Sequence, residues 1–264
     1  MFGAGAGALV LLFLGRKRLS AGASMVFGKA VTAGKEALFA AALPPGPRQY
    51  GDEILRAAEK YDVSPWLLAG IMYRESTGGL ALRPPGPRGT GDFLARSSSS
   101  TYYKYANPAT GLPLDGQGWG RGLMQIDYGV HNAWVVSNDW GDPQTNIDKA
   151  ASLLADNAKY FSSGGGGAVT IEPWRITSGY SAGGKLLVPP WSTYGIAPRT
   201  SAPDPRPLSG QLLAEASLAA YNAGPKGVLQ AVALGLAPAR ATANADYGNW
   251  ILARVSTWLS LFPG

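Results

Sequence analysis

Two long stretches, 80–120 and 162–209, resist regular backbone and set the terms on which the rest of the chain can fold. The first runs LRPPGPRGTGDF and then SSSSTYYKYANPATG, and the second runs from SSGGGG to PDPRPLSG. Proline removes a backbone donor and fixes φ, and glycine loses the most entropy when ordered. Neither run therefore suits a long helix or a central strand. Loops of this length are uncommon inside a compact domain and read as insertions. The second leaves room for short strands or a hairpin. The core must come from the segments between them.

Those segments carry helical periodicity. In YGDEILRAAEKYDV, Ile54, Leu55, Ala58 and Tyr61 share a stripe. Ser64 suits an N-cap and Pro65 a first helical position, so a helix is expected through WLLAGIMYRES, ending at Gly78-Gly79. NIDKAASLLADNAKYF at 146–161 aligns Ile147, Ala150, Ala151, Leu154, Ala158 and Phe161. QLLAEASLAAYNA at 211–223 stops at Gly224-Pro225, and helix resumes at 226–234 and 245–261. In the last segment Tyr247, Ile251, Val255 and Trp258 recur at helical spacing. The expected fold class is mainly α.

The net charge of +6 is unevenly placed. Up to residue 48 it comes from Arg16, Lys17, Arg18, Lys29, Lys35 and Arg48 against Glu36 alone, which leaves the rest nearly neutral. A nucleic-acid-binding domain would carry a basic face of its own, so nucleic acid is not an expected partner. Residues 2–15 are uncharged and mostly apolar, too short for the roughly 20 residues of a spanning helix. Their charge follows the apolar run, where a cleavable signal peptide would carry it first. They suit a membrane-inserting segment or a hydrophobic arm packed in an assembly. The breaker PPGPR at 44–48 is the expected boundary between a hydrophobic and basic N-terminal arm, 1–48, and a body, 49–264. With no Cys, a single His and no HExxH-like spacing, neither a metal nor another cofactor is expected.

One letter of IMYRESTGG, at 71–79, sits awkwardly. A helix through this run turns Glu75 toward the side of Leu67, Leu68, Ile71 and Met72. Burial disfavours an ionised carboxylate, so the position suits a group that must hold its proton. Two further strings follow in order: GWGRGLMQID at 118–127, with Tyr128 and His131, and SLAAYNAGP at 217–225, with DYGNWILARV after it. Taken together, these strings resemble the lysozyme-fold peptidoglycan-cleaving enzymes, most closely goose-type lysozymes and related lytic transglycosylases. The resemblance runs from about 50 to 260, interrupted by the two insertions.

That resemblance implies a lysozyme-like domain that cuts glycan strands of peptidoglycan, with Glu75 as the acid that protonates the leaving oxygen. It implies Asp127 as a carboxylate that helps to position a water, with a second one upstream. Asp115 is the candidate for the second, although Arg121 follows GWG where the family shows an acid. Gln125, Met124, His131, Tyr221, Asn222 and Tyr247 match groove residues that orient the sugar, and Trp119 would offer a stacking face. A hydrolase and a lytic transglycosylase both remain open. The apolar arm suits a phage virion protein that opens the wall locally, or a membrane-tethered enzyme facing the periplasm. The competing class is a catalytically inactive lysozyme fold kept as a structural or wall-binding part.

Overall fold

Proline at one end and two glycines at the other delimit the helix that carries Glu75. In the computed structural model, which describes residues 33–182 and 185–261, this helix is α4 (Pro65–Ser76). Before it come α1 (Ala33–Ala42), α2 (Pro45–Arg48) and α3 (Gly51–Tyr61). Ser64 takes the extended N-cap backbone without a side-chain cap bond. Thr77 ends the helix in the left-handed region at φ 53°, followed by Gly78 and Gly79 at φ 67° and 90°. A β-branched residue is strained there, so its neighbours must hold it in place.

The described residues are mainly helical and form two compact units. One comprises 33–152 with 254–261, and the other comprises 153–253. The chain passes from the first to the second within α6 (Pro143–Ser162) and returns within α10 (Tyr247–Ser260).

The core of the first unit gathers Trp66, Leu68, Ile71, Met72, Leu123 and Ile147, all buried. Burial of side chains this size contributes about 1.5–3 kcal/mol each. Phe39 of α1 packs edge-on against Trp66, with ring centroids 4.7 Å apart, and Leu43 is buried beside the next turn. In the described residues, side chains before the 44–48 breaker are thus buried with residues that follow it. Gly46 of α2 lies so close to the end of α4 that a Cβ there would stand 2.0 Å from the Thr77 carbonyl oxygen. This backbone-on-backbone contact braces the strained Thr77. The apolar run at 2–15 lies outside the described residues, as does everything before residue 33.

The first insertion and the GWGRGLMQID string build a small antiparallel sheet. Its strands are β1 (Thr90–Gly91), β2 (Gly120–Arg121) and β3 (Ile126–Asp127), in that spatial order. Gly91, Gly120 and Asp127 form one row, and Thr90, Arg121 and Ile126 form the next. A short helix, α5 (Asn132–Ser137), follows.

In the second unit the 162–209 stretch is built into the core. Here β4 (Ala168–Thr170) pairs antiparallel with β7 (Ser201–Pro203), and β5 (Tyr180–Ala182) with β6 (Lys185–Val188); α7 (Pro173–Thr177) lies between β4 and β5 in the chain. Ile171, Ile176 and Trp191 from this stretch share a core cluster with Phe161, Leu213 and Val228. Leu213 belongs to α8 (Gly210–Ala223) and Val228 to α9 (Pro225–Ala233). Gln230 Nε2 of α9 donates to the Thr170 carbonyl at 2.8 Å. No helix among the described residues is long and apolar enough to cross a membrane.

Candidate functional site

Glycine at two paired positions makes room for the side chain at the centre of the hairpin. The turn between β2 and β3 closes with the Gln125 N–H donating to the Gly122 carbonyl at 3.1 Å, and Gln125 takes φ 50°. Its Nε2 donates to the same carbonyl at 2.8 Å. Its Oε1 lies where a Cβ on Gly91 or Gly120 would come within 2.3 or 2.1 Å. Gln125 therefore commits one amide donor to its own turn. Met124 is fully buried and its N–H donates to Asn146 Oδ1 at 2.8 Å, while Asn146 Nδ2 donates to the Arg121 carbonyl at 3.1 Å. Asn146, itself buried near the start of α6, thus pins the turn from one side.

Ser76 pins it from the other. Its Oγ donates to the Leu123 carbonyl at 2.6 Å and accepts the Gly79 N–H at 3.0 Å, and the residue is buried. Glu75 is the preceding residue, half-buried in the last turn of α4. The end of that helix and the turn carrying Gln125 are therefore bonded to each other through the acid's own neighbour.

Asp127, at the end of β3, is held by an arginine that sequence reading did not single out. Arg96 Nη1 donates to Asp127 Oδ1 at 3.3 Å, and Nη2 pairs with Oδ2. The Val130 N–H adds a bond to Oδ1 at 2.9 Å. The Arg96 and Asp127 side chains are only 13% and 32% exposed, so this two-pronged pair is worth more than a surface contact, about 1.5–3 kcal/mol for a charge-assisted bond.

Asp92 was also missed. It follows β1 at φ 53°, where its carbonyl accepts the Trp119 N–H at 2.9 Å. Its Oδ2 lies 3.7 Å from Arg96 Nη2. Burial of its carboxyl pushes the Asp92 pKa up even though the side chain is 42% exposed, and the nearby charge of Asp127 acts in the same direction. The Leu94 N–H and Arg96 oppose that shift. The signal in the sequence was the GTGD string, whose Gly91 admits the Gln125 amide and sets Asp92 at the strand's end.

Asp115 is exposed and pairs elsewhere. Arg121, fully buried, donates from Nη2 to Asp115 Oδ1 at 3.0 Å and from Nη1 to Gln117 at 2.6 Å, over the Tyr128 ring at 4.7 Å. Adjacent residues of a strand point to opposite faces. Arg121 and Asp127 stand in neighbouring rows, so Asp115 is drawn toward the face opposite Asp127. The structure groups Asp92, not Asp115, with Asp127. Trp119 is fully buried, its Nε1 donating to Leu94 O at 3.1 Å, and the Arg96 guanidinium covers its ring at 3.9 Å. The expected stacking face is taken by that cation.

His131 is half-buried, and its N–H donates to the Asp127 carbonyl at 2.9 Å. Burial lowers its pKa below the ordinary 6.5, the Lys149 charge adds to this, and Asp127 opposes it. In the other unit, Tyr221 is half-buried and Asn222 exposed near the end of α8, and Tyr247 is buried at the start of α10. Neither the models of known protein families nor the curated proteins match this chain.

Proposed function

We propose that the protein is a peptidoglycan-cleaving muramidase with a lysozyme-like helical fold. It cuts the β-1,4 bond from N-acetylmuramic acid to N-acetylglucosamine, with Glu75 as the general acid. One observation carries this reading: the Ser76–Leu123 bond fixes the helix end bearing Glu75 to the turn that precedes Asp127. Glycosidic cleavage needs a proton at the leaving oxygen and carboxylate charge near the developing cation. Asp127 on the hairpin so anchored, and Asp92 just after the neighbouring β1, supply carboxylates grouped about Arg96. His131 takes a sugar contact that the sequence resemblance implies. The apolar and basic N-terminal arm suits local wall penetration, from a virion or from a membrane facing the wall.

A second reading has one observation in its favour. Met124 and Trp119, expected along the groove, are packed inside, as they would be in an inactive structural or wall-binding relative. Zymography on peptidoglycan separates the two. The muramidase reading expects clearing by the wild type and none by Glu75→Gln; a wild type that leaves the gel opaque sinks it.

A further inference from the structure

In the second unit a cation on α7 is left without an answering group. Arg175 Nη1 is enclosed by protein and has no hydrogen-bond partner among the described residues. The guanidinium lies 4.7 Å from the centre of the Trp174 ring and 6.0 Å from that of Trp191. Trp191 is fully buried, and its Nε1 also lacks a partner. The stack therefore holds two buried donors and no acceptor for either. Glu172, one turn away, pairs with the Lys226 ammonium instead. Burial disfavours the Arg175 charge, and the Glu172 carboxylate opposes that only in part. A buried donor left unmet costs about 1–3 kcal/mol in general, and more when it is charged.

The guanidinium also rests on the first turn of α9. A Cβ on Gly227 would come within 2.8 Å of Nη2 and 3.1 Å of Nη1, so glycine at this position makes the room for it. Gly224 caps this helix without a side-chain bond, and Pro225 opens it. The first N–H groups of a helix have no partner inside it, and that end carries partial positive charge. A cation set against it is repelled, and a bound anion would relieve both the repulsion and the unmet donors. The space for one is there. Arg175, Lys226, Gly227 and Trp174 border a cavity of about 300 Å³, and Trp174 is 38% exposed. That lies at the lower end of ligand pockets, about 300–1,000 Å³, and exceeds what a lone ion fills. Trp174 and Arg175 come from the 162–209 stretch, outside the strings that carry the family resemblance.

We propose that this pocket binds a carboxylate carried on a small organic body, with Arg175 and Lys226 as the receiving cations and Trp174 as the apolar wall. A guanidinium matches the two oxygens of a carboxylate, and such charge-assisted pairs are the stronger hydrogen bonds. The Lys226 side chain is 73% exposed, so its ammonium can reach an incoming anion while it still screens Glu172. Peptidoglycan as the source of the ligand rests on the muramidase reading above; the carboxylate chemistry does not. That polymer offers two such groups: the carboxylates of its peptides, and the lactyl carboxylate of a muramic acid that has lost its peptide. Binding either one would add an attachment to the wall that takes no part in proton transfer at Glu75.

The full chain, labelled with nitrogen-15, is titrated with N-acetylmuramic acid, with L-alanyl-D-glutamate and with N-acetylglucosamine, and the indole N–H signals of Trp174 and Trp191 are followed by NMR. A saturable shift is expected with at least one of the two acids, at an affinity about tenfold or more above that of the neutral sugar. A shift with the dipeptide alone assigns the ligand to the peptide, and one with N-acetylmuramic acid alone assigns it to the lactyl group. Arg175→Gln is expected to weaken the binding about tenfold. An arginine with a merely structural role would lower the melting temperature and leave the affinity per folded molecule alone. No saturable shift from either acid, or equal binding of N-acetylglucosamine, overturns the inference, and neither result touches the cleavage assigned to Glu75. Unchanged affinity in a folded Arg175→Gln overturns it too. Should that variant fail to fold, Lys226→Gln is expected to bind about threefold more weakly through the loss of one exposed charge, and unchanged affinity there overturns the site.

Discussion

Replacing Ser76 with alanine removes a single oxygen from the joint that carries the account. That oxygen donates at 2.6 Å to the Leu123 carbonyl and accepts at 3.0 Å from the Gly79 N–H, in a residue with almost no exposed surface. The variant leaves the buried Leu123 carbonyl without this partner, while the Gly79 N–H keeps its bond to the Ser76 carbonyl at 3.0 Å. An orphaned buried acceptor costs about 1–3 kcal/mol. The lost volume is one atom and adds little. The local effect falls on the last turn of α4 and the hairpin turn together. Activity should drop further than the loss of folded protein accounts for, because a displacement of about 1 Å at a reacting group costs about a hundredfold. Two assays read this: urea unfolding for the stability, and release of soluble muropeptides per folded molecule for the joint. An unchanged unfolding midpoint would refute the reasoning.

Other perturbations test neighbouring parts of the structure. Gly46→Ala puts a methyl 2.0 Å from the Thr77 carbonyl oxygen and is expected to destabilise by about 1–3 kcal/mol through overpacking, visible as a lower melting temperature. Gly129→Ala crowds Arg96 Nη1 and the Tyr102 Cβ and is expected to lower the melting temperature through the same kind of overpacking. His131 has a lowered pKa in the folded state. As pH falls below 6.5 the unfolded chain takes up the proton first, and stability declines until the folded value is passed. His131→Asn should flatten that decline in melting temperature measured across a pH series. Asp92 has the opposite sign: its raised pKa costs stability at neutral pH. Asp92→Asn should therefore melt higher at neutral pH, with the advantage vanishing as pH falls through the folded-state value.

Helices were the legible part of this sequence. The stripes at 54–61 and 146–161, and Pro65 with Gly78-Gly79, correspond to α3, α6 and α4, because repeated apolar burial imprints a 3.6-residue period. The strands were not legible: β1, β2 and β3 have two residues each, too few for alternation to register. The 162–209 stretch read as an irregular insertion because its buried residues, Ile171, Ile176 and Trp191, are spaced without period. The same limit applies at the site. Glu75 and Asp127 stood out through the strings around them, whereas Arg96 meets Asp127 across 31 positions, a pairing that only the folded sheet creates. Asp115 was assigned from its nearness in sequence to GWG, but the row alternation in β2 sends Arg121 and its partner to the other face. Phe39 and Leu43 lie just before a proline-rich breaker, yet they pack into the core beyond it.

The measurement closest to the central claim is the initial rate at which soluble muropeptides leave purified sacculi, for the wild type and for Glu75→Gln at equal folded concentration. Loss of a general acid lowers a rate by about 10²–10⁴-fold, and a fall of that size, with the melting temperature kept, is the predicted result. Equal rates from the two proteins would contradict the account.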